Sequence, residues 1–224
     1  MLGYLFIFVK TKNNDRLISK CLLFSSSVMF TISLFDLIPS SYASLTKVYL
    51  FIPSMLIIAI SALFGALVIH TINTSFNSSN TLYKIGIISM IALIIHNVPE
   101  GIITFITTSN NTRLGIVLAF SIALHNIPEV IAIAVPIFYS TKSKRKAFIY
   151  TFISSISEPL GALIACLLIN IINNPYFFSL ILSFTAGIMI YISIFELFIE
   201  GVKYSKLKDI LIFILLGFLI IYIT

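Results

Sequence analysis

The chain has 224 residues, of which 59% are hydrophobic and only 10% charged, with a net charge of +6 and a mean hydropathy of +1.10. A soluble domain is nearer half apolar and a quarter charged, and a disordered chain is polar, so both classes are excluded. What remains is an all-α fold, a polytopic membrane helix bundle; a bilayer core of about 30 Å takes about 20 apolar residues per helix, so this length holds roughly seven or eight spans.

In chain order, Met1 to Val9 is apolar but covers under half a bilayer. No basic residue precedes it, which argues against a cleaved signal peptide. It reads as the tail of a first span whose beginning is missing. Seven apolar runs follow, at roughly 17–38, 48–70, 84–108, 114–139, 146–172, 176–199 and 208–223, the last of marginal length. They are continuous rather than alternating, which excludes a β-barrel. Short polar connectors such as Asn73 to Asn80 and Thr141 to Lys146 join them. The expectation is one transmembrane domain, 1–224, with seven full transmembrane helices plus a truncated first one; residues 1–16 are the remnant of that helix and a cytoplasmic loop. Cys21 and Cys166 form no CxxC and read as small hydrophobic residues.

Basic residues set the orientation. The loops near 10–20, 71–84, 140–147 and 200–209 hold twelve of the fourteen Lys and Arg, leaving Lys47 and Arg113 for the other side. By the positive-inside rule those loops are cytoplasmic and the C-terminus is external, in the cell membrane. The net positive charge is thereby topological, and no nucleic acid is expected as a partner.

Two internal repeats appear. His96-Asn97-Val98-Pro99-Glu100 recurs as His125-Asn126-Ile127-Pro128-Glu129, near the middle of adjacent, antiparallel spans. More faintly, the stretch from Val28 to Leu37 matches that from Ile188 to Leu197 as [VI]-M-x-x-I-S-x-F-[DE]-L, in spans of opposite direction. An inverted-topology repeat of this kind is a transporter feature, with the substrate site near the midplane.

All the basic residues fit into loops or helix ends, but five of the eight acids do not: Asp36, Glu100, Glu129, Glu158 and Glu196 lie within apolar runs. An ionisable group inside a bilayer costs several kcal/mol and marks function. Without a buried Lys or Arg, protons or metal ions are the candidate counter-charges. His96 and Glu100 are four apart and share a helix face, as do His125 and Glu129. Pro99 and Pro128 lack the backbone N–H and kink their helices, and Glu158-Pro159 repeats the device in the next span. Two imidazoles, three carboxylates and the carboxamides of Asn97 and Asn126 suit zinc, iron(II), manganese or cobalt, with room for two adjacent ions. His70, at a helix end beside a loop, reads as solvated. Asp36 and Glu196 lie towards opposite ends of their spans, as matched groups at the entrance and exit of a path.

These segments resemble the ZIP (Zrt/Irt-like) metal-ion transporter family, most closely its bacterial ZupT-like branch. The resemblance covers the chain from Phe24 onward. It rests on His96 to Gly101, on Ala123 to Glu129, and on Ser157-Glu158-Pro159-Leu160-Gly161-Ala162. It implies eight helices in an inverted 3+2+3 repeat with external termini, and a binuclear metal site. The first ion then falls to His96, Glu100, His125 and Glu129. The second falls to Asn97, Asn126 and Glu158, with Glu100 and Glu129 bridging. Two departures stand out: Val130 replaces the glycine expected to allow close helix packing, and Asn73 to Asn80 replaces a His-rich loop.

The expected function is uptake of divalent metal ions into the cytoplasm, zinc first, with iron, manganese, cobalt and cadmium as further candidate substrates. The ions are the substrate; no organic cofactor is expected. The expected partners are the lipid bilayer, the ions and, where the chain pairs, a second copy in a homodimer. Two rival readings are a membrane-embedded metal-dependent hydrolase, against which the absence of HExxH counts, and a truncated non-transporting remnant.

Overall fold

The computed structural model describes residues 1–9, 11–172 and 174–221. Among them all regular structure is helical. A short 3-10 helix, Leu2–Phe8, precedes α1, which runs Asn14–Leu45 through a π-helical stretch, Ser33–Leu37. Then come α2 (Phe51–Ser75), α3 (Thr81–Asn110), α4 (Thr112–Thr141) and α5 (Lys144–Ile172). Helix α6 starts at Pro175–Tyr191 and continues through a second π-helical stretch, Ile192–Phe198, into Ile199–Val202. Helix α7 is Leu207–Ile221. Six of these helices are long and apolar enough to cross a membrane. The 208–223 run forms a 15-residue helix within the described residues, and its last two positions, like Lys10 of the first basic loop, lie outside them.

Asparagine starts four of the helices. The side-chain oxygens of Asn13, Asn80, Asn111 and Asn174 accept from the backbone N–H groups of Arg16, Tyr83, Leu114 and Tyr176, satisfying donors that a helix start leaves unpaired. Asn111 has a second consequence. It is the only residue between α3 and α4, ending one and capping the other. His96 lies 15 positions before it and His125 14 positions after it. At about 1.5 Å per residue the two motifs therefore meet at the same depth.

The helices pack as two sets. The N-terminal helix, α3, α4 and α5 pack on one another, and α1, α2, α6 and α7 do likewise. Glycines make the closest crossings. A Cβ on Gly101 would strike the Glu158 carbonyl oxygen, and one on Gly161 that of Val98, so α3 and α5 touch backbone to backbone. Gly65 and Gly187 do the same against Phe184 and Ala62, joining α2 to α6. The two sets meet where α1 packs on α4 and α3 on α6.

The basic loops gather at one end. Asp209 pairs with Arg16 at 3.0 Å and Lys20 at 3.5 Å, and the Tyr4 hydroxyl donates to the Lys144 carbonyl at 3.3 Å. Asp15, Ser79 and Glu200 line one hollow there.

Two sequence expectations change. Close packing at Val130 survives because the glycine is on the partner: a Cβ on Gly3 would strike the Ile127 carbonyl oxygen, and it would sit 3.0 Å from the Val130 Cβ. Asn73 is not in a connector; α2 runs past His70 to Ser75 and carries it. The helices also run without a break through Pro99, Pro128 and Pro159, and α4 holds a further proline, Pro136.

Gly65→Leu should overpack the α2–α6 crossing, far in sequence from the motif residues. Overpacking costs about 1–3 kcal/mol and more where backbone must move. The expected outcome is a clear fall in thermal stability of the detergent-purified protein, measured by loss of monodisperse material on heating.

Candidate metal centre

Three helices of one set supply the motif residues. His96, Asn97 and Glu100 come from α3, His125, Asn126 and Glu129 from α4, and Glu158 from α5. Helical spacing places His96 and Glu100 on one face, with the His96 Nε2 3.8 Å from a Glu100 oxygen. The antiparallel turn at Asn111 then brings α4 alongside. His125 Nε2 lies 2.6 Å from Glu100 Oε1, and His96 Nε2 lies 3.2 Å from Glu129 Oε1. Each histidine thus faces the acid of the other motif. One ligand atom from each of His96, Glu100 and Glu129 fits within 4.8 Å of the others, a spacing that a single cation could bridge.

The centre is dry. His96 and Glu129 are each 2% exposed, Asn97 5%, His125 7% and Glu100 9%. The ion pairs of Glu100 and Glu129 are to imidazoles and involve no Lys or Arg.

The carboxamides are oriented by what they donate to. Asn97 Nδ2 donates to the Ser154 carbonyl on α5 at 3.0 Å, and Asn126 Nδ2 donates to Glu158 Oε2 at 3.0 Å. Both amide nitrogens are thereby used, and both Oδ1 atoms are buried with no hydrogen-bond partner. The same holds for His96 Nδ1 and Glu100 Oε2, while His96 Nε2 and Glu129 Oε1 are buried against one another at 3.2 Å. A buried polar atom without a partner costs about 1–3 kcal/mol. Four of them in one cluster, all lone-pair bearers or ring nitrogens, form a donor set suited to a cation.

The two outlying acids belong to the other set. Asp36 is exposed, sits in the π-helical stretch of α1 and accepts from Ser40 Oγ at 3.3 Å. Glu196 is buried, sits in the π-helical stretch of α6 and accepts from Asn73 Nδ2 at 2.5 Å. The same Nδ2 lies 3.2 Å from the Tyr191 hydroxyl, which also contacts His70 Nδ1 at 3.0 Å. His70 is exposed, as expected, but not free of partners. Sequence reading missed Asn73, Tyr191 and Ser154. Asn73 sits where a run stops looking apolar, Tyr191 lies inside an apolar run as one aromatic residue among many, and Ser154 acts through its backbone, which no side-chain pattern reveals.

A helical membrane bundle with a buried imidazole–carboxylate cluster between antiparallel motif helices defines the class: a polytopic membrane protein with ionisable groups at mid-depth. The pattern described as ZIP zinc transporter matches residues 73–224. The zinc transporter ZupT of Streptococcus mutans is 37% identical over 92% of this chain and 84% of its own length. Those of Chlorobium limicola and Oceanobacillus iheyensis are 35% and 36% identical, over 92% and 91% of this chain and 84% of each relative. The chain belongs to the ZIP zinc transporter family, a family of transporters and not of enzymes.

Replacing one ligand should be felt by the whole cluster, because each side chain faces two others. For His96→Ala, binding of cadmium or zinc to the purified protein is expected to weaken by about tenfold or more, read by isothermal titration calorimetry.

Proposed function

We propose that this chain carries divalent metal ions, zinc foremost and iron(II), manganese, cobalt and cadmium as further candidates, into the cytoplasm. The observation that carries the reading is the cluster of buried imidazole, carboxylate and carboxamide groups, with unpartnered atoms on His96, Asn97, Glu100 and Asn126. Buried, opposed imidazole and carboxylate groups support a carrier reading over a hydrolase, whose site must be reached by substrate. The names of the relatives point the same way.

The centre is binuclear in this reading. One ion is held by His96, Glu100, His125 and Glu129. The other is held by the free Oδ1 atoms of Asn97 and Asn126 with Glu158, and Glu100 and Glu129 bridge the two. The hydrogen bonds that fix the amide nitrogens support this, since they aim the oxygens rather than the nitrogens at the ions. Pro99, Pro128 and Pro159 kink the helices beside each ligand group.

The path follows from the two helix sets. All seven ligands ride on the set that contains α3, α4 and α5. Asp36 and Glu196, on the other set, act as entrance and exit. Rigid-body rocking of the ligand-bearing set against its neighbour moves the ion past one acid to the other. With the basic loops cytoplasmic and the C-terminus external, the negative cytoplasmic potential favours inward flow of cations.

An inverted 3+2+3 repeat supports that motion. In this scheme the N-terminal helix, α1 and α2 correspond to α5, α6 and α7, and α3 to α4. The packing is consistent with it: α3 on α5 mirrors α4 on the N-terminal helix, and α2 on α6 mirrors α7 on α1. Gly161 meets the Val98 carbonyl and Gly3 meets that of Ile127, the same position of the two motifs. Both outlying acids sit in π-helical turns, an irregularity that recurs at functional sites. The bilayer and the ions are the partners in this reading, with a second copy of the chain where it pairs.

Cells expressing the wild type should accumulate zinc, and Glu100→Ala should reduce uptake by about tenfold or more at equal protein level. Equal accumulation by both would defeat the assignment.

A further inference from the structure

The faint repeat extends upstream of its strongest stretch. Val28 corresponds to Ile188, an offset of 160 positions, and the same offset aligns Phe24-Ser25 with Phe184-Thr185. Ser25 and Thr185 are both buried, at 0% and 2% exposure. They are buried hydroxyl residues on α1 and α6, two helices that pack against the other set.

Their hydrogen bonding differs. Ser25 Oγ donates to the Pro128 carbonyl at 2.6 Å, a buried bond from α1 to α4 that crosses between the sets. Most of its neighbours do not cross: the hydroxyls of Ser26, Ser41 and Ser61 and the amides of Asn73, Asn97 and Asn126 bond within one set. Pro128 precedes the ligand Glu129, so the bond grips the ligand-bearing segment itself. Thr185 Oγ1, by contrast, has no hydrogen-bond partner at all. A helical threonine ordinarily bonds back to the carbonyl four residues earlier, as Thr31 and Thr151 do here. Thr185 forgoes even that, at the cost of a buried unpaired hydroxyl.

We propose that Ser25 and Thr185 are alternating latches between the two helix sets, and that the acceptor awaiting Thr185 is the Pro99 carbonyl. Under the repeat, Ser25 maps to Thr185 and Pro128 maps to Pro99. In a molecule built from two inverted copies, exchanging their conformations yields a state of similar energy open to the opposite side. In the present state the Ser25 latch is closed and the Thr185 latch open. In the opposite state the Thr185 hydroxyl donates to the Pro99 carbonyl, beside the ligand Glu100, and Ser25 is released. The two are positioning residues: they touch no ion, and they set how the two states are populated. The inference rests on the two-set motion proposed above.

Spin labels at Arg145, on the ligand-bearing set, and Lys206, on the other, read the separation of the sets by pulsed electron resonance, with Cys21 and Cys166 replaced by alanine. Wild-type protein is compared with and without zinc. A single distance population that zinc never changes would overturn the motion itself. Given two populations, the variants test the latches. Ser25→Ala is expected to lower the weight of the state seen here by about threefold, the fold-change of an average intramembrane side-chain hydrogen bond. Thr185→Val, which removes no bond present in this state, is expected to raise that weight by a similar factor. Ser25→Thr and Thr185→Ser are expected to restore the wild-type ratio. Shifts in the same direction, or none, would overturn the proposal. If Ser25→Ala yields no folded protein, Thr185→Val decides alone, because its hydroxyl supports no contact in this fold.

Discussion

Two carboxylates, Glu100 and Glu129, lie at mid-depth in an apolar bundle where their close partners are histidines rather than lysine or arginine. The cost of that burial governs much of the architecture. It requires the two acids to be near one another's histidines, which requires two helices of matched length joined by a minimal turn. Asn111 provides the turn by capping both helices at once. It requires a third helix close enough for Glu158 to join, which Gly101 and Gly161 allow by bringing α3 and α5 into backbone contact. Donor atoms left without hydrogen bonds in this environment are the counterpart of a cation, and a transporter must keep them so in order to release its cargo.

The separation into two helix sets follows from where polar and glycine contacts fall. Within each set, backbone approaches and side-chain bonds such as Ser26 to the Ser193 carbonyl or Asn97 to the Ser154 carbonyl make stiff units. Between the sets the described contacts are mainly apolar. Such a surface slides more readily than one stitched by hydrogen bonds, because lipid-like side chains exchange neighbours at little cost. All seven motif residues lie on one set, and Asp36 and Glu196 lie on the other.

The ZIP family membership explains why the motif residues have the spacing they do, but this chain solves two local problems in its own way. Val130 fills the place of a glycine, and Gly3 on the facing helix restores the close approach. The loop after α2 offers no histidines, and the last turn of α2 instead presents His70 and Asn73 to Tyr191 and Glu196.

The sequence by itself determined the class and family resemblance, and it singled out the motif residues. Those depend on hydropathy, on the placement of few charges and on helical spacing, which are local properties. It also placed the two motifs near one depth, since both fall at the middle of adjacent antiparallel spans. Tertiary structure alone decided the rest. It paired each histidine with the acid of the opposite motif, turned Asn97 and Asn126 so that their oxygens are free, and buried Glu196 against Asn73. It also placed Ser25 against the Pro128 carbonyl while leaving Thr185 unpaired. Each of these depends on which helix faces which and on backbone carbonyls, and neither is written in the order of side chains along one strand of sequence.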